Sequence, residues 1–280
     1  MSNIDDMMDC MDDFAASTDS IYNIIKRAPF YPERASAPWE LNPEGLTNAM
    51  SWYFKYHTFP PETLHHDPHV KSNKGWQFAM YLIRYFKILP PPEWRINVNE
   101  QNILGDTCAT LWLRTMRTEP PEILLKGHDP SLRCYNGFTL AMLYILCLHR
   151  LPPVEYLHDS LIQSDEGYTL AMLYQTHINE DIPDILYHNP AIQSKSGYTI
   201  EMFYAIKGVV IDKYIHDPEL TNEYGDTAMF IWIVNNKNVD VPQPLRHRAT
   251  LQNKNGRTAL DVWKQCNTIP PPQYLLQDSC

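Results

Sequence analysis

The chain has 280 residues, of which 44% are hydrophobic, and a formal net charge of −10 at pH 7. This much apolar material excludes a wholly disordered chain. The acidic balance, without clustered lysines and arginines, argues against binding to nucleic acid or to an anionic membrane surface.

Three further features of the sequence indicate the cellular compartment of the protein. The longest apolar stretch, Leu140 to Leu148, is about half of what a membrane-spanning helix needs. The six cysteines show no close-paired spacing, and the N-terminus is acidic rather than a basic-then-apolar signal. We therefore expect a soluble cytoplasmic protein with reduced thiols.

Residues 1–44 form the most acidic part of the chain, with nine acidic and three basic residues. Helical spacing places five apolar residues on one face, opposite five aspartates. The apolar residues are Ile4, Met7, Met8, Met11 and Phe14. A second helix is expected around Ser20 to Arg27, followed by a proline-broken connection. We interpret 1–44 as an N-terminal helical cap on the structure that follows.

From residue 45 onward, eight of the chain's ten glycines fall in one phase, separated by 30, 30, 32, 30, 30, 28 and 31 residues. They are Gly45, Gly75, Gly105, Gly137, Gly167, Gly197, Gly225 and Gly256. Such a fixed period is the signature of a repeat architecture. Residues 45–280 therefore hold eight repeats, numbered here one to eight from these glycines.

Other residue types keep the same phase. Threonine stands two positions after every glycine except in repeat two, where Gln77 replaces it. A large ring stands seven positions after seven of the eight glycines, and prolines follow fourteen to seventeen positions after the glycine in all but repeat six. A His-Asp-Pro-like turn ends many repeats. Its members are His66-Asp67-Pro68, His128-Asp129-Pro130, His158-Asp159-Ser160, His188-Asn189-Pro190 and His216-Asp217-Pro218.

Each position has a physical reading. Glycine suits a turn with positive φ, and threonine caps the helix that follows it. The stretch Leu140 to Leu146 is apolar almost all round, so this first helix is predicted to be buried. Proline, followed by an acid, begins a second helix of about two turns.

Thirty residues with a Gly-x-Thr opening, a buried first helix and a short second helix resemble the ankyrin repeat over residues 45–280. The resemblance implies an all-α helical repeat solenoid whose turn tips and first helices bind proteins. The run Thr-Leu-Ala-Met-Leu-Tyr departs from the family's Thr-Pro-Leu-His, and the Pro-Pro start of the second helix is also foreign to it. Another helix-pair solenoid is the structural alternative.

Three motifs could each be interpreted as a functional site, but a structural interpretation explains each of them better. His65-His66-Asp67-Pro68-His69 resembles a metal site, but His66 and Asp67 belong to the recurring turn, whose copies lie too far apart to share an ion. The Pro-Pro pairs are phased as helix starts rather than as ligands for proline-reading modules. The ring positions have no basic residues interleaved, which favours a core stack over base stacking.

The residue directly after each glycine varies in polarity, unlike a core position. We therefore expect this position to face solvent or a partner, with Phe138, Tyr168 and Tyr198 forming an aromatic row and Trp76 at the same place in repeat two. These four residues are the predicted partner-binding site. The opposing interpretation is that the rings only pad the turns.

No glycine-rich phosphate loop, zinc motif or nucleophile elbow occurs, so we predict neither catalysis nor a cofactor. The leading hypothesis is a non-catalytic solenoid that binds another protein as scaffold, adaptor or inhibitor. One alternative is an acidic mimic whose N-terminal segment occupies a basic nucleic-acid or substrate site. A further alternative is a self-assembling structural protein, since the Met-rich helix could dock on a second copy.

Overall fold

The computed structural model describes residues 39–277, except 44, 65, 66, 93, 95 and 179. The predicted helices of the N-terminal cap lie outside this part of the chain. The chain divides into two compact units, which are Met1–Tyr135 and Asn136–Cys280. The first contains repeats one to three and the second contains repeats four to eight.

The fold is an all-α helical repeat, as the sequence predicts. The first helices of the eight repeats are Asn48–Tyr56, Phe78–Tyr81 with its π-helical continuation Leu82–Phe86, Cys108–Met116, Leu140–Leu148, Leu170–His177, Ile200–Ile206, Ala228–Asn235 and Ala259–Cys266. Between residues 39 and 277 the described residues form no β-strand, only three isolated antiparallel bridges. None of the described helices is long and apolar enough to cross a membrane.

Threonine begins the first helix of seven repeats, as predicted. Its hydroxyl accepts a hydrogen bond from the amide three residues on, for example from Met172 to Thr169 and from Met202 to Thr199. Gln77 makes no such bond, and its helix keeps α-geometry for only four residues, Phe78–Tyr81. The cap satisfies one of the amides that the first helical turn leaves without a partner.

The second helices begin directly after the prolines except in repeat six, where Asp212–Tyr214 follows Ile211, but they are shorter than predicted. Most are single 3₁₀ turns rather than two helical turns. The 3₁₀ turns are Glu62–Leu64, Val154–Tyr156, Asp184–Leu186, Asp212–Tyr214 and Gln243–Leu245, whereas Glu122–Leu125 and Gln273–Gln277 are short α-helices. Another 3₁₀ turn, Tyr135–Gly137, precedes the fourth first helix. Such a segment closes i→i+3 bonds and is uncommon beyond four residues.

Neighbouring turn tips are joined by backbone hydrogen bonds. In the second unit the amide of Lys195 donates to the carbonyl of Glu166 at 2.9 Å, and the amide of Glu223 donates to Ser196 at 2.8 Å. Gln163 reinforces this link, because its side-chain amide donates to Gly167 at 2.5 Å and to Gln193 of the next tip at 3.0 Å. Each tip is thereby fixed to the one that follows.

The His-Asp-Pro positions are turns, as predicted. The side chains of Asp129, Asp159 and Asn189 each accept a hydrogen bond from the amide two residues on. Asp67 and Asp217 do the same. An Asx turn of this kind is a local property of the chain, so it needs no metal ion. His65 and His66 lie outside the described residues.

The histidine of this turn ties the end of a repeat to its beginning. In repeat five Nε2 of His188 lies 3.0 Å from the hydroxyl of Thr169, and Nδ1 lies 2.7 Å from the carbonyl of Asn189. A carbonyl only accepts, so Nδ1 carries the proton and the threonine hydroxyl donates to Nε2. Thr107 contacts His128 and Thr227 contacts His247 through the same two atoms, Oγ1 and Nε2. Burial lowers the pKa of all three histidines and so favours the neutral imidazole.

In the second unit each first helix packs against the first helix of the next repeat. Repeats six to eight share a core built on Met229, Trp232 and Trp263, all 5% exposed or less. The ring seven positions after the glycine lies inside this core, and its polar edge reaches the loop: Nε1 of Trp232 donates to Asp240 and that of Trp263 to Ile269. This position is a core stack, as predicted.

We expect Gly167→Ala to destabilise the chain much more than Gly256→Ala. Both glycines have positive φ, +81° and +69°, so each substitution costs about 1 kcal/mol in backbone strain. A Cβ at Gly167 would lie 2.7 Å from the amide nitrogen of Lys195, whereas one at Gly256 meets nothing within 4 Å. The clash adds about 1–3 kcal/mol. Urea unfolding followed by circular dichroism measures both, and equal losses would contradict the close approach of the tips.

We expect the stability of the chain to fall as pH drops below about 6.5. Burial lowers the pKa of His128, His158, His188 and His247 below the ordinary value of 6.5. The unfolded state then binds more protons than the folded state in acid, so stability is full above this value and declines below it. His188→Gln should lose less stability than the unsubstituted chain between pH 7.5 and 5.5, measured by urea unfolding. His69→Gln, at an exposed turn, is the control and should leave the pH dependence unchanged.

Candidate functional site

The residue directly after each glycine is buried in most repeats, so the expectation of an exposed aromatic row is wrong. Trp76 and Phe138 are 5% exposed and Tyr168 is 6% exposed. Tyr198 is half-buried. Leu46 and Asp106, at the same position, are also buried. The structure thus places these rings under the tips rather than on them.

Several of these residues are paired with a side chain of their own repeat, whereas Tyr168 contacts Phe203 of the next repeat. The ring of Trp76 lies 5.2 Å from that of Tyr81, and Tyr198 stacks on Phe203 at 5.6 Å. Where the position is charged the partner is polar: Asp106 pairs with Arg114 at 3.0 Å, and Arg257 donates to Gln265 at 2.7 Å. The variation in polarity therefore follows from changing local pairs. Contact of Trp76, Phe138, Tyr168 or Tyr198 with a partner protein stays a prediction.

The Asp106–Arg114 pair is almost completely buried, with side-chain exposures of 0% and 7%. Burial raises the pKa of Asp106, and the guanidinium of Arg114 opposes that rise. The backbone amide of Asp106 donates to Asn102 at 2.9 Å. The pair is a structural support of the third tip.

The nearby thiols do not form a reactive site. Burial raises the pKa of Cys108 to about 12 and raises that of Cys134 as well. Nucleophilic chemistry requires the thiolate, which a desolvated thiol does not populate at neutral pH. Within the described part of the chain no three His, Cys, Asp or Glu side chains lie close enough to hold a metal ion.

One further position recurs with the same 30-residue period and supports the turn tips, although it was not among the predicted ones. Three residues before each glycine stands a serine or asparagine, with Cys134 the one exception: Asn42, Ser72, Asn102, Ser164, Ser194, Asn222 and Asn253. Its side chain accepts the amide of the residue after the glycine, as Ser164 does from Tyr168 and Asn222 from Asp226. The signal was the same 30-residue phase, but small polar residues are common in loops and do not stand out.

An open apolar groove of about 690 Å³ lies in the first unit. It is lined by residues of repeats one to three that follow the first helices: Phe59, Pro60, Pro61, Glu62, Leu89, Pro90, Pro91, Pro92, Trp94 and Ile123. We call this surface the proline groove. The spacing of these prolines predicts helix starts, and it contains no sign of a cavity among them.

Exposed side chains form much of the proline groove. Phe59 is 46% exposed, Leu89 39% and Ile123 38%. The rings of Phe59 and Trp94 lie nearly perpendicular, with centroids 6.2 Å apart, and Trp94 packs below on Phe78 at 5.1 Å. Proline has a fixed φ and no amide hydrogen, so this wall is stiff and presents few donors. Such a surface suits apolar side chains better than polar substrates.

No protein-family model matches the chain. No curated protein is similar to it either. Among solved structures, a crystal structure of an ankyrin repeat protein resembles it with a TM-score of 0.26 and 14% sequence identity, over 61% of this chain and 79% of that chain. At this level of similarity the fold assignment rests on the geometry of the repeats themselves.

We expect Arg114→Ala to destabilise the chain by about 3–5 kcal/mol, because it leaves the buried carboxylate of Asp106 without its cation. The double variant Asp106→Leu and Arg114→Leu should recover most of this loss, since an apolar pair removes the buried charges together. Arg257→Ala, at an exposed polar pair, is the control and should change stability by less than about 0.5 kcal/mol. Thermal and urea unfolding measure all three, and a loss for Arg114→Ala no larger than the control's would contradict the buried pair.

Proposed function

We propose that this chain is a non-catalytic protein-binding module whose proline groove accepts apolar side chains of another protein. The observation that carries the proposal is the groove itself, an exposed apolar surface on a stiff frame. Contiguous exposed apolar patches mark interaction sites, whereas apolar residues scattered singly over a surface do not. Scaffold, adaptor and inhibitor are roles that such a module can fill.

The repeat geometry indicates what the occupant looks like. Residues from three successive repeats line the proline groove, and successive helices pack roughly 10 Å apart. A polyproline II segment rises about 3.1 Å per residue with three residues per turn, so every third side chain points the same way at a comparable spacing. We infer that the occupant is a segment in this extended conformation with apolar side chains at about every third residue.

The groove has few groups that could orient a polar ligand. Among the described residues that line it, Glu62 is the one with a charged side chain. Specificity would therefore come from shape and from the placement of apolar anchors, as in other interfaces where a few central residues carry most of the binding energy. This composition favours a protein segment over a nucleotide or a sugar.

We expect Leu89→Asp together with Ile123→Asp to abolish partner capture from a lysate of the source cells. The amount of partner recovered with the double variant should be at least tenfold lower than with the unsubstituted chain. The reason is that desolvating two carboxylates in an apolar groove costs more than about 1.4 kcal/mol. Val154→Asp with Ile185→Asp is the matched control, since both are exposed apolar residues, 68% and 55%, outside the groove. Affinity purification with quantitative mass spectrometry, after circular dichroism has confirmed folding, gives the ratio.

Other outcomes assign the function elsewhere. Capture that survives both double variants but is lost at high salt and on removal of residues 1–20 would support the acidic mimic, because exposed charges are screened within about 8 Å at physiological ionic strength. A second copy of this chain as the captured species, lost only with residues 1–20, would support self-assembly. Either result would contradict the proline groove as the binding site.

A further inference from the structure

A second cavity, of about 430 Å³, lies in the second unit and differs in chemistry from the proline groove. Its lining consists of Gln175, Glu180, Asp181, Tyr204, Lys207 and Val209, contributed by repeats five and six. We call it the acidic pocket. It does not enter the function proposed above.

Gln175 is an anomaly in the repeat pattern. It stands eight positions after the glycine, where six other repeats bury an apolar side chain: Tyr53, Ile83, Leu113, Ile145, Ala205 and Ile233. Gln175 is equally buried, at 2% exposure, and its Oε1 has no hydrogen-bond partner. An amide buried with an unpartnered oxygen destabilises the fold compared with the leucine or isoleucine of other repeats. Core packing therefore does not account for this glutamine.

The acids beside Gln175 are available to a ligand. Glu180 accepts a hydrogen bond from the hydroxyl of Tyr174 at 3.2 Å. Within the described part of the chain neither Glu180 nor Asp181 forms an ion pair. Among the described residues that line the acidic pocket, Lys207 is the one cation, and it donates to the carbonyl of Ile178 at 3.2 Å. Two carboxylates and an amide oxygen thus outnumber one ammonium that is engaged elsewhere.

The chemistry of these groups selects an organic cation. The described residues bring no three His, Cys, Asp or Glu side chains together here, and two carboxylates with one amide oxygen fall well short of the roughly six to eight oxygen ligands that Ca²⁺ takes. A guanidinium or primary ammonium instead presents several N–H donors, which match carboxylate and amide acceptors. The second unit as a whole has 16 acidic and 10 basic residues, so its field attracts a cation.

We propose that the acidic pocket binds the cationic head of an arginine or lysine side chain presented by a partner protein. Gln175 accepts one N–H after its amide turns into the acidic pocket, because its oxygen has almost no exposed surface in the structure, and Glu180 and Asp181 neutralise the charge. Tyr204 and Val209 contact the aliphatic stem. The ligand thereby supplies the hydrogen bond that the folded chain leaves unmade at Gln175.

The test uses the full chain labelled with ¹⁵N, with Gln175→Leu assigning the side-chain amide signals of Gln175. The probe is N-acetyl-arginine methylamide, compared with its neutral isostere N-acetyl-citrulline methylamide. We expect saturable shifts of the Gln175 signals with a Kd of about 1 mM for the arginine probe, and at least tenfold weaker binding of the citrulline probe.

Charge variants locate the effect. Glu180→Gln with Asp181→Asn should weaken binding of the arginine probe at least tenfold, whereas Glu155→Gln, an exposed acid outside the acidic pocket, should leave it unchanged. Gln175→Leu should raise Tm and abolish the saturable shifts of neighbouring backbone amides. A fall in Tm for Gln175→Leu would instead make this amide a structural residue and overturn the proposal.

The remaining outcomes also overturn it. One is equal binding of the arginine and citrulline probes. Another is absence of saturation up to about 50 mM probe, which would mean a Kd weaker than the millimolar range. The third is tighter binding of free arginine than of the capped probe. The last result would assign the acidic pocket to a free amino acid. None of these outcomes bears on the proline groove, whose variants lie in the other unit.

Discussion

The repeats are held in register by turn-tip glycines at positive φ, most of which have the backbone of the next tip pressed against them. At Gly167 the space for a side chain is taken by the backbone of Ser194 and Lys195. This approach allows the amide of Lys195 to reach the carbonyl of Glu166. Because the tips are spaced by backbone contact, the first helices that follow them are brought into packing distance, and the caps begin each helix at a fixed place.

Side chains around the tips convert this spacing into a stable repeat. Ser164 holds the amide of Tyr168, and Thr169 both caps its helix and donates to His188 at the end of the same repeat. These bonds satisfy backbone and imidazole groups that burial would otherwise leave without partners. The repeats can therefore vary in the residue after the glycine, provided that each variant has a matched partner, as Asp106 has in Arg114.

The two candidate binding surfaces are departures from this regularity. The proline groove arises where the loops after the first helices of repeats one to three carry exposed Phe59, Leu89 and Ile123 beside prolines. The acidic pocket arises where a buried apolar position becomes Gln175. In both places the frame is supplied by the repeat and the chemistry by residues that do not serve the frame, which is where function is expected in repeat proteins.

The period, the helical class, the threonine caps and the Asx turns could be predicted from the sequence, because each depends on residues close together along the chain. Which positions are exposed could not, because exposure depends on how the repeats pack. Trp76, Phe138 and Tyr168 looked like a surface row because their position varies, yet all three are buried. Trp76 contacts Tyr81, five residues on, and Tyr168 contacts Phe203 on another helix. The groove and the pocket likewise join loops about 30 residues apart, and periodicity along one repeat carries no information about space between repeats.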